Sequence, residues 1–170
     1  MSLAREAAAT AHRVDSHVYI GGYLAAADAD YVRREGFARI LKLFADTPEY
    51  PGGRHRHPGV TYKVVEAEDR ADYPLDVHFA DCLEFIQDGI RRGEKTLVHC
   101  HAGVSRSGTI VLLHLMVNRG LDLDRALSLL RGRRPVVNPN PGFWLMLRGV
   151  EARALALRAR GAVPAAAYPA

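Results

Sequence analysis

The segment Val98-His99-Cys100-His101-Ala102-Gly103-Val104-Ser105-Arg106-Ser107-Gly108-Thr109 constrains this chain more than any other. A short apolar run, Thr96 to His99, precedes it, and an apolar stretch from Thr109 to Val117 follows. A strand that feeds a tight loop opening a helix presents backbone N–H groups to an anion at the positive end of the helix dipole. Five residues separate Cys100 from Arg106, and they include small residues suited to a tight turn. A thiol therefore lies within a ring of N–H groups that a guanidinium closes. The cradle suits a phosphate-sized group, and its field favours the thiolate, the form that attacks.

The rest of the chain is read as the support for this loop. Its 170 residues suffice for one domain with a core, and 48% hydrophobic with 25% charged residues is ordinary globular usage. A net charge of +4 suits anionic partners. The basic residues are scattered and no basic-aromatic platform accompanies them, so nucleic acid is not an expected partner. Two cysteines, Cys82 and Cys100, make no disulfide framework, and a loop that needs a reduced thiol points to the cytoplasm. The longest apolar stretch is too short to span a bilayer. Neither a secretory signal nor a myristoylation pattern opens the chain, so no membrane anchor is expected.

Strands are expected at 18–22, 38–44, 60–65 and 96–99, with helices between them. Asp28 is placed as the cap of a short helix stopped by Gly36, and Asp122 or Asp124 as the cap of another. An amphipathic helix is read over about 75–91, with Phe79, Cys82, Leu83, Phe85, Ile86 and Ile90 on one face. A helix over 107–119, apolar nearly all round, should lie centrally. Asn140 as cap and Pro141 at the first helical position open a last helix reaching about Arg160. The expected class is α/β: a mostly parallel twisted sheet of about four to five strands, flanked by helices, with the phosphate loop between a strand and the central helix. Residues 1–14 are read as an arm, 15–160 as the catalytic domain and 161–170 as a flexible tail.

Within that frame each loop residue takes a role. Cys100 is the nucleophile, and the amides of His101, Ala102, Gly103, Val104 and Ser105 bind the equatorial phosphoryl oxygens. Arg106 adds a bidentate contact that a lysine cannot make. Ser107 hydrogen-bonds the sulfur and stabilises it as a leaving group, while His99 shapes the loop. The departing oxygen needs a proton, and Glu66, Glu68, Asp69 and Asp72 all stand on the loop after the third strand. Spacing alone does not choose among them.

The run His99-Cys100-x-Ala102-Gly103-x-Ser105-Arg106-Ser107 resembles the signature of the dual-specificity protein phosphatases, within the cysteine-based protein tyrosine phosphatase superfamily. The likeness extends over about residues 15–150. It includes Val18-Tyr19-Ile20-Gly21, Tyr62-Lys63-Val64-Val65 and Arg134-Pro135-x-x-x-Pro139-Asn140-x-Gly142-Phe143. With no docking domain ahead of the catalytic part, the chain resembles the small, atypical members. The resemblance implies an acid about thirty residues before the cysteine, which selects Asp69, 31 residues before Cys100, with Asp72 in reserve. It implies that Asn140 buttresses the phosphate loop and that Arg134 meets substrate anions.

The implied activity is hydrolysis of phosphotyrosine, and of phosphoserine or phosphothreonine, through a cysteinyl phosphate. No metal or other cofactor takes part, and a monomer acts on a phosphorylated protein. His101 and Val104 stand where lipid-directed relatives carry basic residues, which turns the reading away from phosphoinositides. Non-protein phosphoesters (phosphoinositides or RNA 5′-phosphates), sulfur or arsenate chemistry, and a phosphopeptide-binding pseudophosphatase are the competing readings. Cys82 is expected in the core, with a reversible disulfide to Cys100 as the alternative. His55 and His57 lack the partners of a metal site and are read as a solvated loop.

Overall fold

A computed structural model describes residues 9–45 and 56–159. Its sheet has five strands: β1 (His12–Arg13), β2 (Val18–Gly21), β3 (Phe37–Lys42), β4 (Thr61–Val64) and β5 (Lys95–His99). They lie in the order β1-β2-β5-β3-β4, with β1 antiparallel to β2 and every other pairing parallel. The apolar runs of β2, β3 and β5 are those of strands covered on both faces. Alternation sends Leu97 with Ile40 into one core layer and Val98 with Ile20 and Leu41 into the other. The central strand β5 thus carries Cys100 to its carboxyl end, where α/β sheets hold their ligands.

The helices are α1 (Tyr23–Ala27), α2 (Ala29–Glu35), α3 (Phe79–Arg91), α4 (Arg106–Val117), α5 (Leu123–Arg133) and α6 (Pro141–Ala159). Their ends follow local chemistry. Asp28 Oδ1 accepts the Tyr31 amide at 2.9 Å, and Gly36 stops α2 in the left-handed region at φ 72°. Asp122, not Asp124, caps α5 by accepting from the Arg125 amide at 2.8 Å. Asn140 Oδ1 accepts from the Phe143 amide at 3.0 Å and starts α6 at Pro141. Helix α4 packs against α3, α5 and α6 and is buried on nearly every side, as its unbroken apolar run requires. Among the described residues no helix is long and apolar enough to cross a membrane.

Several elements differ from expectation. His12–Arg13, read as part of an arm, pairs with β2, and the five-residue α1 carries no periodicity long enough to reveal it. Strand β3 ends at Lys42, and the first turn of the 75–91 segment is a 3-10 helix, Leu75–His78. Residues 1–8, His55 and the tail 161–170 lie outside the described residues. His57 Nε2 lies 2.7 Å from the Ala26 carbonyl.

One buried polar pair ties the catalytic helix to the sheet. His114 on α4 donates from Nε2 to Asp15 Oδ2 at 2.9 Å, while its Nδ1 accepts from Asn118 at 3.0 Å. Burial raises the pKa of Asp15. The His114 bond and the bonds from the His17 and Val18 amides outweigh it and hold the carboxyl at about 2, against 3.8 ordinarily. A carboxylate lowered in the folded state stabilises above its unfolded pKa and loses that contribution as pH falls through the folded one. Asp15 should therefore supply on the order of 2 kcal/mol, lost between about pH 4 and pH 2. In denaturant unfolding, the stability gap between wild type and Asp15→Asn should narrow over that interval. A gap independent of pH would contradict the assignment.

Candidate active site

The loop from Cys100 to Ser105 is shaped by what its carbonyls meet. The His101 carbonyl accepts from the Tyr23 amide at 3.0 Å, and the Val104 carbonyl from the Asn138 amide at 3.1 Å. Arg134 holds the two between, with Nη2 to Ala102 O at 2.8 Å and Nε to Gly103 O at 2.7 Å. In a trans peptide the next N–H points opposite its carbonyl. Four successive amides, those of Ala102, Gly103, Val104 and Ser105, are thereby turned away from these partners. Among the described residues none of the four has an acceptor. A run of open N–H groups of this kind suits an anion.

Arg134 itself is 1% exposed and reaches further, to Thr10 O at 3.2 Å and His12 Nδ1 at 2.9 Å. This corrects the expectation that Arg134 meets a substrate anion. Its guanidinium braces the loop from inside the protein. Gly103 must be glycine beside it. Its φ is +70°, and a Cβ there would stand 2.5 Å from both Arg134 Nη2 and the Gly21 carbonyl.

Cys100 is 1% exposed, and its Sγ lies 3.2 Å from the hydroxyl of Ser107, on the first turn of α4. His99 is buried under the loop and donates from Nδ1 to the Cys100 carbonyl at 3.2 Å. Burial lowers its pKa most, nearby Lys42 and Arg106 add to that, and the ring titrates at about 3. It is neutral at working pH and bonds the loop backbone at Cys100. His101 stacks on Tyr23, ring centroids 4.8 Å apart at 19°, and meets the edge of Phe44 at 6.4 Å. Partial burial and then the Arg106 charge lower its pKa. The contact that fixes this ring was invisible in sequence.

Arg106 Nη1 donates to the Ala67 carbonyl at 2.9 Å, which ties the loop after β4 to the start of α4. Its buried Nε has no hydrogen-bond acceptor among the described residues. Asp69 is the carboxylate this arrangement brings to the phosphate loop. Its Oδ1 accepts from Ser105 Oγ at 2.6 Å and from Asn140 Nδ2 at 2.9 Å, and its Oδ2 lies 3.9 Å from Arg106 Nε. Ser105 Oγ in turn accepts from the Asn140 amide at 3.0 Å. Ser105 thus contributes an anchoring hydroxyl that sequence reasoning missed, besides the amide it foresaw.

The rivals of Asp69 face elsewhere. Asp72 and Glu68 pair with Arg70, and the Arg70 hydrogen bond lowers the pKa of Asp72, which disfavours a proton donor. Glu66 is exposed. Gly142 explains how the acid loop comes so near α6: a Cβ there would fall 1.7 Å from the Ala71 carbonyl, two residues after Asp69. Cys82 is packed in the core on α3, and burial raises its thiol to about 12. Both cysteines are free.

Comparison with known proteins agrees with this geometry. The family described as "Dual specificity phosphatase, catalytic domain" matches residues 18–153. Dual specificity protein phosphatase 1B of Arabidopsis thaliana is 35% identical over 139 residues, 81% of this chain and 80% of that protein. Dual specificity protein phosphatase 15 of Mus musculus is 33% identical over 131 residues, 74% of this chain and 51% of that one. The crystal structure of a mouse putative dual specificity phosphatase complexed with zinc tungstate superposes with a TM-score of 0.77. It is 30% identical, and the match covers 91% of this chain and 92% of that one. The strand-borne thiol, the loop of open amides and these likenesses lead to one conclusion: the chain belongs to the dual specificity phosphatases.

Proposed function

We propose that this protein phosphatase hydrolyses phosphotyrosine, with phosphoserine and phosphothreonine as further substrates, through a cysteinyl phosphate on Cys100. The observation that carries the reading is a loop of four amides with no acceptor among the described residues, set around a thiol, with the Asp69 carboxyl group held at its edge. A tetrahedral oxyanion fits such a cradle, and the mouse relative is described as complexed with tungstate, an ion of that shape.

In this mechanism the Cys100 sulfur attacks phosphorus while the ester P–O bond breaks. The loop amides and Arg106 hold the equatorial oxygens as charge spreads over them. Asp69 has one oxygen occupied by Ser105 and Asn140, which leaves Oδ2 to carry the proton to the departing oxygen. In the second half, Asp69 takes a proton from water as it attacks phosphorus, and the S–P electron pair returns to sulfur. The Ser107 hydroxyl stabilises that sulfur as it leaves. The catalytic groups named here come from one chain, which supports a monomer as the working unit. The need for a reduced thiol supports a cytoplasmic setting.

Asp69→Ala tests the reading. An acid must be protonated to donate, so its loss flattens the alkaline limb of the pH profile. The rate should fall on the order of 10²-fold, and more for phenyl phosphate than for para-nitrophenyl phosphate, whose leaving group needs the proton less. Equal losses on the two esters, with the alkaline limb intact, would remove Asp69 from the role. The same outcome in Asp72→Ala instead would transfer it.

A further inference from the structure

A second cavity, about 600 Å³, opens at the far end of the central helix. Arg13, Arg119 and Arg133 converge on it, and leucines that include Leu121 and Leu129 form its apolar lining. Leu129 is 39% exposed, so part of this apolar lining is open to solvent. Arg119 and Arg133 have no hydrogen bond or ion pair among the described residues, and Arg13 donates to the Asp15 carbonyl. By contrast, the exposed Arg33, Arg91, Arg92, Arg125 and Arg148 each pair with a carboxylate. Among the described residues Asp15 is the one acidic residue lining the cavity, and its oxygens are engaged by His114 and by the His17 and Val18 amides. The cavity is therefore cationic, with guanidinium donors unspent above an apolar lining.

We propose that this cavity docks an acidic segment of the protein substrate, one in which Asp or Glu residues flank an aliphatic side chain. Guanidinium forks match carboxylates two bonds at a time, and the leucines take the aliphatic group. A concave site of this size fits one peptide segment better than a bilayer surface. The thirteen residues from Arg106 to Asn118 place the cavity on the order of 20 Å from the phosphate loop at 1.5 Å per residue. A small phosphoester cannot span that distance, whereas a protein can. The proposal rests on the protein phosphatase reading and adds a second point of contact to it.

The test uses the full chain and a fluorescein-labelled, unphosphorylated peptide of alternating Asp, Glu and Leu, followed by anisotropy. The expected result is saturable binding that weakens with salt and falls about tenfold or more in Arg119→Glu/Arg133→Glu. Turnover of para-nitrophenyl phosphate should be unchanged in that variant and uninhibited by the peptide. Because both arginines lie near helix C-termini, Arg119→Gln/Arg133→Gln and thermal melts separate lost charge from lost stability. Equal binding to wild type and variants would overturn the proposal. So would competitive inhibition of turnover by the peptide, which would place it in the phosphate loop. Binding of phosphatidylserine vesicles in place of the peptide, lost in the same variants, would assign the cavity to membranes instead. Anisotropy is read without catalysis, so a protein that binds the peptide but hydrolyses nothing would count against the activity alone.

Discussion

A Cys100→Ser variant is expected to lose turnover of para-nitrophenyl phosphate by at least about 10⁴-fold, while its fold and its affinity for inorganic phosphate survive. The reason is local. Cys100 is 1% exposed, and among the described residues its sulfur makes one hydrogen bond, to the Ser107 hydroxyl at 3.2 Å, which a serine hydroxyl can also meet. The open amides of Ala102, Gly103, Val104 and Ser105 belong to the backbone, and their orientation is set by Tyr23, Arg134 and Asn138. Substitution at Cys100 leaves those holds in place. A serine hydroxyl in the same position remains protonated and attacks phosphorus far more weakly. Binding and chemistry therefore separate: phosphate protection against thermal unfolding should persist where turnover does not. Metal-dependent activity surviving in Cys100→Ser would contradict the mechanism.

Arg106→Lys is expected to lower kcat by roughly 10²- to 10³-fold, the range for loss of a transition-state donor. Charge is conserved, so the size of the effect reports geometry. The guanidinium does two things at once: Nη1 is committed to the Ala67 carbonyl at 2.9 Å, and the buried Nε has no hydrogen-bond acceptor among the described residues. A single ammonium can hold the acid loop or the phosphoryl oxygens, but its three donors radiate from one atom and do not form a planar fork. If it keeps Ala67, phosphate binding weakens. If it turns to phosphate, the loop bearing Asp69 loosens and the alkaline limb of the pH profile shifts. A variant with nearly wild-type kcat would show that positive charge alone suffices at this position.

The parts of this molecule that were legible in sequence are those whose cause is local. Apolar runs marked β2, β3 and β5, and Asp28, Asp122 and Asn140 announced helix starts because a cap bonds to an amide only two or three residues on. The Cys100 loop was legible for the same reason: its glycine, arginine and serine all act within seven residues of the thiol. What sequence hid depends on distant partners. Asp69, Ser105 and Asn140 form one cluster across separations of 36 and 71 residues, which spacing on the acidic loop does not reveal. Arg134 was misplaced because its partners are backbone carbonyls, which leave no mark in the residue types around them. The Tyr23 stack on His101 joins the first residue of α1 to the Cys100 loop, and no periodicity foretells it.

Transfer of the phosphoryl group to Cys100 is open to test by trapping the intermediate. Wild type and Asp69→Ala would be mixed with para-nitrophenyl phosphate, quenched in acid within milliseconds and digested, and the peptides weighed by mass spectrometry. One phosphoryl group is expected on the peptide that holds Cys100, labile as a thiophosphate ester is, and absent from Cys100→Ser. Rapid turnover with no phosphoryl group on that peptide, or with the group on a serine or histidine, would contradict it.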